Sequence, residues 1–450
     1  MADKAYLVAV DMGYGHQRAL FPLLDNASTP KSWNIEKPVI ISANDYPGIP
    51  KKDKHLWDSI RTIYEKVSRM NGVSILGTRL FNAMDYMQRI VPFYPKRDLS
   101  KPVLQIIDIY KRIHNGFGKH LIETLNEDPI PLITSFFIIA FCAEEHGYKG
   151  KIYCLCTDTD IARAWAPLEP KKSNIIYLAP TRRVRDRLLL YGVKSENIFI
   201  TGFPLPKEVV GEGKTNVCLS ARNIVSRRIS RLDPTGIYRK KYSGVISMYL
   251  GIDTCPSTEG PIILTFAVGG AGAQTDIGLT ILNSLSEHIK NGIIKLNLTA
   301  GSSDSVRQVF EKGILDAGID NSNEGVNIIF NQNKYEYFKM FNQVLVDTDV
   351  LWTKPSEMSF YVGSGIPIIM APALGAQEEC NKAWLQSVGA GFEQEDPRYV
   401  NEWFFDWLDS GWLAEAAMNG FMDASKEGTY HIEDLVFRGQ YSEAEHVHFL

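Results

Sequence analysis

Residues suited to chemistry stand directly after apolar runs of this sequence, beginning with residues 11–16, DMGYGH. Gly13 and Gly15 allow a tight turn from a strand into a helix and a close approach of a ligand. His16 is then expected near the start of that helix, where a neutral imidazole can accept a proton at physiological pH. We predict His16 as a general base beside the two glycines; a turn histidine without chemistry is the alternative.

Two carboxylates follow another apolar run. Residues 157–160, TDTD, come after the run 152–156. The carboxyl ends of parallel strands meet at one edge of a sheet, where ligands bind. Asp158 is therefore predicted to orient His16 or to act as the base itself, and Asp160 to bind a substrate hydroxyl. Helix capping by either carboxylate is the alternative.

The second half of the chain offers groups for a ligand that carries phosphates and hydroxyls. Residues 269–274, GGAGAQ, form a Gly-rich turn after one apolar run, and residues 300–303, AGSS, follow the next. A strand predicted at 344–346 leads into residues 354–357, KPSE, and another at 367–370 leads into residues 375–381, GAQEECN. The residues predicted to bind this ligand are Gly269, Gly270, Ala271, Gly272, Gln274, Ser302, Lys354, Ser356, Glu357, Gly375, Gln377, Glu378 and Asn381.

The elements that must position these groups are strands alternating with helices, which predicts an α/β fold. The predicted strands are residues 6–12, 39–42, 132–135, 152–157, 174–178 and 198–201, then 262–268, 294–299, 326–329, 344–346 and 367–370. Each of the two series opens with a strand and a Gly-rich turn. They predict two Rossmann-like domains built on parallel sheets.

We divide the chain into an N-terminal domain, a linker, a C-terminal domain and a tail. The bounds are 1–205 with a helical insertion at about 50–125, 206–260, 261–400 and 401–450. The tail is expected to be helical and to pack back on the first domain.

Three charged or aromatic segments leave alternatives open. Residues 222–241 carry seven Lys and Arg and one acid, which fits a solvated linker or contact with an anionic acceptor, a diphosphate or a membrane surface. Residues 90–97, IVPFYPKR, either form an interfacial membrane loop or cap a cleft. The Arg-rich helix predicted at 181–192 is expected to be mostly solvated.

Composition indicates a globular cytoplasmic protein without a nucleic-acid partner. The 450 residues are 45% hydrophobic and 22% charged, with a net charge of −4. We expect neither a signal peptide nor a membrane-spanning segment, because residues 131–143, the most apolar run, fall short of the ~18 residues a span needs. The six cysteines suit reduced thiols, with Cys154 and Cys156 in the core. No metal-ligand spacing is apparent, so we expect no metal and no cofactor.

These motifs together resemble the GT-B glycosyltransferases, in the branch of monogalactosyldiacylglycerol synthases, processive diacylglycerol glucosyltransferases and lipid II N-acetylglucosaminyltransferases. The family's Gly-x-Gly-His element is matched by residues 13–16, its Thr-Asp by residues 157–158, and its Thr-Gly-x-Pro by residues 201–204. The resemblance spans most of the chain outside the two insertions. It implies two Rossmann-like domains that face each other across a cleft.

The resemblance implies inverting, metal-independent transfer of a hexose from a nucleotide-sugar, usually UDP-linked, to an acceptor hydroxyl of a lipid or cell-envelope component. His16 or Asp158 would deprotonate the acceptor, which Gly13, Gly15 and Asp160 would contact. The turn at 269–274 would meet the donor's diphosphate, and residues 375–381 its sugar. A role in glycolipid biosynthesis at the inner face of the membrane would follow.

One position departs from the family, and two other functions fit the same fold class. Phe360 or Tyr361 stands where the family has a ribose-binding Glu, and Glu357 is the nearest carboxylate. An epimerase of the UDP-N-acetylglucosamine 2-epimerase type would use Glu378 and Glu379 as acids near the sugar. A non-catalytic nucleotide-sugar-binding protein would bind without turnover.

Overall fold

The computed structural model describes residues 3–70, 90–211, 214–251, 259–267, 274–319, 325–373 and 375–441. The chain divides into two units, each built on a parallel sheet. Unit 1 comprises Met1–Pro204, Leu374–Asn381 and Glu427–Leu450. Unit 2 comprises Leu205–Ala373 and Lys382–Lys426.

The sheet of unit 1 is parallel throughout. Its strands are β1 (Ala5–Ala9), β2 (Ala27–Ser28), β3 (Ile41–Ser42), β4 (Leu132–Thr134), β5 (Ile152–Leu155), β6 (Ile176–Ala179) and β7 (Ile198–Ile200). The order is β2-β1-β4-β5-β6-β7, and β3 pairs with β1 beyond the end of β2. The chain therefore winds away from β1 in both directions, which leaves a crevice at the carboxyl ends of β1 and β4.

Helices cover this sheet. They are α1 (Gly15–Leu20), α2 (Lys51–Met70), α3 (Leu104–His114), α4 (Lys119–Leu125), α5 (Phe137–Glu145) and α6 (Arg182–Leu190). Helix α5 is buried on all sides, and the core between helices and sheet includes Phe141, Cys154, Cys156 and Tyr177. Both cysteines are fully buried in or beside β5, as the sequence predicts for core thiols.

The sheet of unit 2 is also parallel. Its strands are β8 (Ile262–Ala267), β9 (Ile294–Gly301), β10 (Val326–Phe330), β11 (Val350–Thr353), β12 (Ile368–Met370) and β13 (Gly391–Glu393). Their order, β10-β9-β8-β11-β12-β13, is the 3-2-1-4-5-6 order of dinucleotide-binding folds. Here the crevice lies at the carboxyl ends of β8 and β11.

The helices of unit 2 are α7 (Lys207–Val210), α8 (Lys214–Arg231), α9 (Ile237–Lys241), α10 (Ser243–Leu250), α11 (Thr275–Ser284), α12 (Ser286–Lys290), α13 (Asp304–Asp316) and α14 (Lys334–Asp347). Helix α15 (Ala376–Val388) begins among residues of unit 1 and ends among those of unit 2. Helices α16 (Val400–Asp409) and α17 (Trp412–Asp423) belong to unit 2, and α18 (Gly428–Glu433) belongs to unit 1. A 3₁₀ helix, Glu357–Ser364, follows β11.

The prediction of two Rossmann-like parallel-sheet domains is confirmed, but the strand predicted at 344–346 is wrong. Those residues end α14, whose buried side chains Tyr337, Phe341 and Leu345 recur at helical spacing. The strand is β11, which begins at Val350. A run of three aliphatic residues fits either element, and only the buried face of the longer helix decides between them.

One arginine of the basic segment 222–241 is buried inside unit 2. Arg228 of α8 is 1% exposed, and its guanidinium donates to the carbonyl oxygens of Thr348 and Ser364, both at 2.8 Å. A side chain added at Gly365 would collide with Val225 of the same helix, so α8 packs directly against the end of the 3₁₀ helix. Arg228 therefore stabilises the interior of unit 2, whereas Lys240 and Lys241 of the same segment are exposed.

The last described residues lie with unit 1. His431 Nδ1 donates to the carbonyl of Thr201 at 2.9 Å, and the Tyr441 hydroxyl accepts from the Ile200 amide at 3.1 Å. Trp403 and Phe404 of α16 are buried in unit 2. Across the described ranges, each helix is too short or too polar to cross a lipid bilayer.

Asp53 allows a test of how burial in unit 1 changes the ionisation of a carboxyl group. It is 5% exposed on α2 and accepts the Gly118 amide at 3.1 Å, and burial raises the pKa of its carboxyl. Because the folded state then binds the proton more tightly than the unfolded chain, the ionised carboxyl costs stability at neutral pH. Asp53→Asn keeps an acceptor for Gly118, so we expect it to be more stable than the parent at pH 7, by a margin that shrinks towards pH 4.

Urea unfolding at pH 7, 5.5 and 4 measures that margin. Asp58→Asn, at an exposed position on the same helix, is the control and should change stability little at any of these pH values. A margin that grows as the pH falls would contradict the assignment of a raised pKa.

Candidate functional site

His16 occupies the turn after β1 that the sequence indicates. Gly13 has a φ of 114°, a conformation that glycine adopts readily, and α1 begins at Gly15. His16 Nδ1 lies 2.9 Å from the carbonyl oxygen of Ser135, which follows β4. The Ser135 hydroxyl donates in return to the carbonyl of His16 at 2.7 Å. Two hydrogen bonds thus join the turn after β1 to the end of β4.

The Ser135 carbonyl determines the tautomer of the neutral His16 ring. A carbonyl oxygen only accepts hydrogen bonds, so Nδ1 carries the proton when the ring is neutral. Nε2 then holds the lone pair and can accept a proton. The ring also packs edge-on against Phe136, with centroids 5.0 Å apart, which further fixes its orientation. This arrangement suits a general base.

Asn44 holds the start of the same turn and was missed by sequence reasoning. Its side-chain oxygen accepts the Asp11 amide at 2.7 Å, and its side-chain nitrogen donates to the Asp11 carbonyl at 3.1 Å. Asn44 is buried two residues after β3. A polar residue soon after a short apolar run is the only sequence signal of this role, and it is a weak one.

Asp158 lies in the loop after β5 and is held by Asn381. The Asn381 side-chain nitrogen donates to Asp158 Oδ1 at 3.0 Å, and its oxygen accepts the Thr159 amide at 2.9 Å. Asn381 is fully buried and belongs to unit 1. The structure thus brings together two residues that are 223 positions apart, one predicted for the acceptor side and one for the donor side.

Asp160, predicted to bind a substrate hydroxyl, accepts hydrogen bonds through both of its carboxylate oxygens. Arg187 donates to Oδ1 at 2.8 Å and to Oδ2 at 2.6 Å, and Arg183 donates to Oδ2 at 2.9 Å. Arg187 is 1% exposed, so this arginine is not one of the solvated arginines of the helix predicted at 181–192. A buried carboxylate needs such partners. The pairing gives Asp160 a structural part in the loop.

Three neighbouring strands carry these groups. β1 pairs with β4 and β4 with β5, all parallel, so His16, Ser135 and Asp158 follow adjacent strand ends on one edge of the sheet. That edge includes the crevice between β1 and β4, where ligands of such folds bind. Gly375, Gln377 and Glu378 also belong to unit 1, around the start of α15.

The remaining predicted ligand residues lie in unit 2. The turn residues Gly269, Gly270, Ala271 and Gly272 lie outside the described residues. Gln274 precedes α11 in the left-handed region, with φ 70°, and its side chain donates to the Pro372 carbonyl at 3.1 Å. Ser302 follows β9.

Lys354 and Ser356 follow β11, and Glu357 begins the 3₁₀ helix there, at the crevice between β8 and β11. Phe360 and Tyr361 are both buried in that helix. Phe360 packs against Trp384 with ring centroids 5.1 Å apart. Glu357 therefore remains the carboxylate of this helix nearest the strand end.

Residues 310–433 match a family model described as a domain of unknown function, DUF6938. No curated protein sequence matches this chain.

Among solved structures, the chain is similar to Staphylococcus aureus MnaA with UDP, at 11% identity and a TM-score of 0.47, covering 98% of this chain and 99% of the other. It is similar to MurG of Acinetobacter baumannii, at 12% identity and a TM-score of 0.46. That similarity covers 97% of this chain and 99% of the other. It is also similar to the UDP-GlcNAc 2-epimerase of Neisseria meningitidis bound to UDP-GlcNAc, at 14% identity and a TM-score of 0.40. That similarity covers 75% of this chain and 81% of the other.

The two hydrogen bonds between Asn44 and Asp11, which we call the Asn44 clamp, should contribute measurably to the free energy of unfolding. Asn44→Ala removes both hydrogen bonds to Asp11 and leaves a buried amide and carbonyl without their partner. We expect a loss of about 2 kcal/mol in the free energy of unfolding, since each such bond contributes about 1 kcal/mol. Urea unfolding measures the loss. Asn174→Ala, at an exposed position of the same unit, should stay within about 0.5 kcal/mol; equal effects of the two substitutions would refute the clamp.

Proposed function

We propose that this protein transfers a hexose from a nucleotide-sugar to an acceptor hydroxyl, with inversion and without a metal ion. His16 Nε2 removes the proton of the acceptor hydroxyl, and the resulting oxygen attacks the anomeric carbon. The bond from that carbon to the nucleoside diphosphate breaks, and the diphosphate leaves with the electron pair. A UDP-linked sugar is the first donor to test.

The observation that carries this proposal is the hydrogen bond from His16 Nδ1 to the Ser135 carbonyl, 2.9 Å long. It places the proton of the neutral ring on Nδ1, so that Nε2 carries the basic lone pair, at the crevice of a parallel sheet. General-base catalysis by a fixed imidazole typically contributes 10²–10⁴-fold to a rate. Asp158, held by Asn381, supplies a carboxylate at the same edge, where it stabilises the imidazolium or binds the hydroxyl.

Unit 2 supports a phosphate-bearing donor. Lys354 follows β11 at the crevice of a sheet with dinucleotide-binding strand order. We propose that its ammonium neutralises charge on the departing diphosphate, as fixed cations do at developing anions. Ser356 and Glu357 then bind the ribose hydroxyls, and Gln377 and Glu378 the sugar.

The acceptor side of the proposal is a lipid or cell-envelope hydroxyl, with the protein in peripheral contact with the inner face of the membrane. Phe93 is buried and therefore contributes nothing to a membrane-inserted loop. Tyr94 and Arg97 are exposed on the same segment and remain available to an amphipathic acceptor.

Turnover of a nucleotide-sugar tests the proposal directly. Wild-type protein should release UDP from a UDP-hexose in the presence of a hydroxyl acceptor panel, and EDTA should leave the rate unchanged. His16→Ala should lower kcat by about 10²–10⁴-fold because the base is gone. His16→Gln, which keeps hydrogen-bonding capacity without titrating, should be as inactive. Wild-type protein that turns over no member of a broad nucleotide-sugar panel would refute the function, and undiminished turnover by His16→Ala would exclude His16 as the base.

A nucleotide-sugar epimerase is a second candidate because of one observation on α15. Glu378 stands three residues before Asn381, on the helix face that contacts Asp158. An acid there would suit proton transfer at the sugar. Incubating UDP-GlcNAc without any acceptor separates the two functions: an epimerase converts the sugar, whereas a transferase needs the acceptor. Chromatography of the recovered sugar nucleotide reads out the result, with Glu378→Gln expected to abolish any epimerisation.

A further inference from the structure

We propose that residues 90–97 are a positioning element for the candidate catalytic loop 157–160, acting through a buried contact of Phe93 with Arg183 and Arg187. The proposal rests on the proposed function for the role of Asp158, which lies two residues before Asp160. It concerns a segment that the sequence left as a membrane loop or a cap. Phe93, Arg183 and Arg187 are the positioning residues.

Asp160 is the loop's anchor. Its Oδ1 accepts from Arg187 Nε and from the Ile161 amide, and its Oδ2 accepts from Arg187 Nη2 and Arg183 Nε, all within 2.6–2.9 Å. One buried negative charge therefore faces two positive charges. The pair of guanidinium groups needs further stabilisation, because a desolvated charge is costly unless other groups compensate it.

Phe93 supplies that stabilisation. The guanidinium carbon of Arg183 lies 3.8 Å from the centre of the Phe93 ring, and that of Arg187 lies 5.1 Å from it. Arg187 Nη1 also donates to the Val91 carbonyl at 2.9 Å. Phe93 is 2% exposed, although it sits next to Tyr94, which is 62% exposed. A desolvated cation over an aromatic face is stabilised by the ring quadrupole.

Asn381 and Thr181 also hold the loop 157–160, through contacts separate from those of Asp160. Asn381 binds Asp158 and the Thr159 amide, and the Thr181 hydroxyl, at the start of α6, donates to the Thr159 carbonyl at 3.1 Å. The position of Asp158 therefore depends on two sets of contacts, of which the segment 90–97 completes one. A shift of Phe93 would release the arginine pair, then Asp160, and then the loop.

Hydrogen exchange of the full-length protein tests the coupling without any substrate. The reporters are the amides of Thr159 and Ile161, which bond to Asn381 and Asp160. Phe93→Leu, which fills the site without an aromatic face, should speed their exchange by about tenfold, and Phe93→Tyr, which keeps the ring, should restore protection. Exchange in Phe93→Leu equal to that of the parent would overturn the proposal.

Arg163→Lys is the matched control. Arg163 is likewise a buried arginine of unit 1, but it donates to the carbonyls of Ser100, Ala166 and Pro167 rather than to Asp160. The Arg163→Lys variant should lower the melting temperature while leaving exchange at Thr159 unchanged. Ile161 does not serve this control, because Arg163 lies over the ring of Tyr191, whose hydroxyl donates to the Ile161 carbonyl. If the variant accelerates exchange at Thr159 as much as Phe93→Leu does, the effect is general destabilisation and the proposal fails.

Kinetics with UDP-glucose, or with whichever UDP-sugar the wild-type protein turns over, give a second readout. Phe93→Leu should lower kcat by about tenfold with the donor KM within about twofold, since the donor contacts are unchanged. Phe93→Tyr should restore kcat. A wild-type protein without turnover would refute the proposed function alone, because the exchange measurement still decides the positioning role.

Discussion

The reversal of winding at the first strand of each parallel sheet is the constraint on which the rest of this protein depends. In unit 1 the chain leaves β1 towards β2 and β3, and later returns on its other side as β4. The turns on either side therefore diverge and open a crevice at the strand ends. Residues 16 and 135, far apart in sequence, become hydrogen-bonding partners at that crevice. The same reversal between β8 and β11 gives unit 2 its own crevice.

Several arginine side chains are buried in the structure. Arg228, Arg163 and Arg187 are all nearly inaccessible, and the first two bond only to main-chain carbonyls in the contacts described above. A guanidinium has five donors in a rigid fork, so it can satisfy several carbonyls at helix ends and loop corners at once. These three arginines therefore stabilise loops and helix ends inside their own units.

Much of the fold was predictable, because Ile- and Val-rich runs separated by helical patterns are a direct signature of buried parallel strands. β5, β8 and β12 fall within the predicted ranges. The short strands β2 and β13 were missed, since two or three residues carry no periodicity. The strand at 344–346 was misassigned for a related reason. Val344 and Leu345 belong to a helix whose buried stripe is visible only over four turns.

Some residues of the candidate site could likewise be predicted from the sequence, and others could not. His16 and Asp158 were identifiable from sequence, because glycines and carboxylates directly after apolar runs imply strand ends. The role of Asn44 and the pairing of Asp160 with arginines were not identifiable from the sequence, since both depend on partners distant along the chain.

The sequence by itself determined the class of fold, the two Gly-rich openings and the residues that stand at strand ends, since local patterns of burial and turn formation suffice for these. Only the tertiary structure decided the tautomer of the neutral His16 ring, the pairing of Asp160 with two arginines, and that Phe93 is a buried partner of arginines. Each of those depends on a hydrogen bond or ring contact between segments that meet only when the parallel sheet has formed.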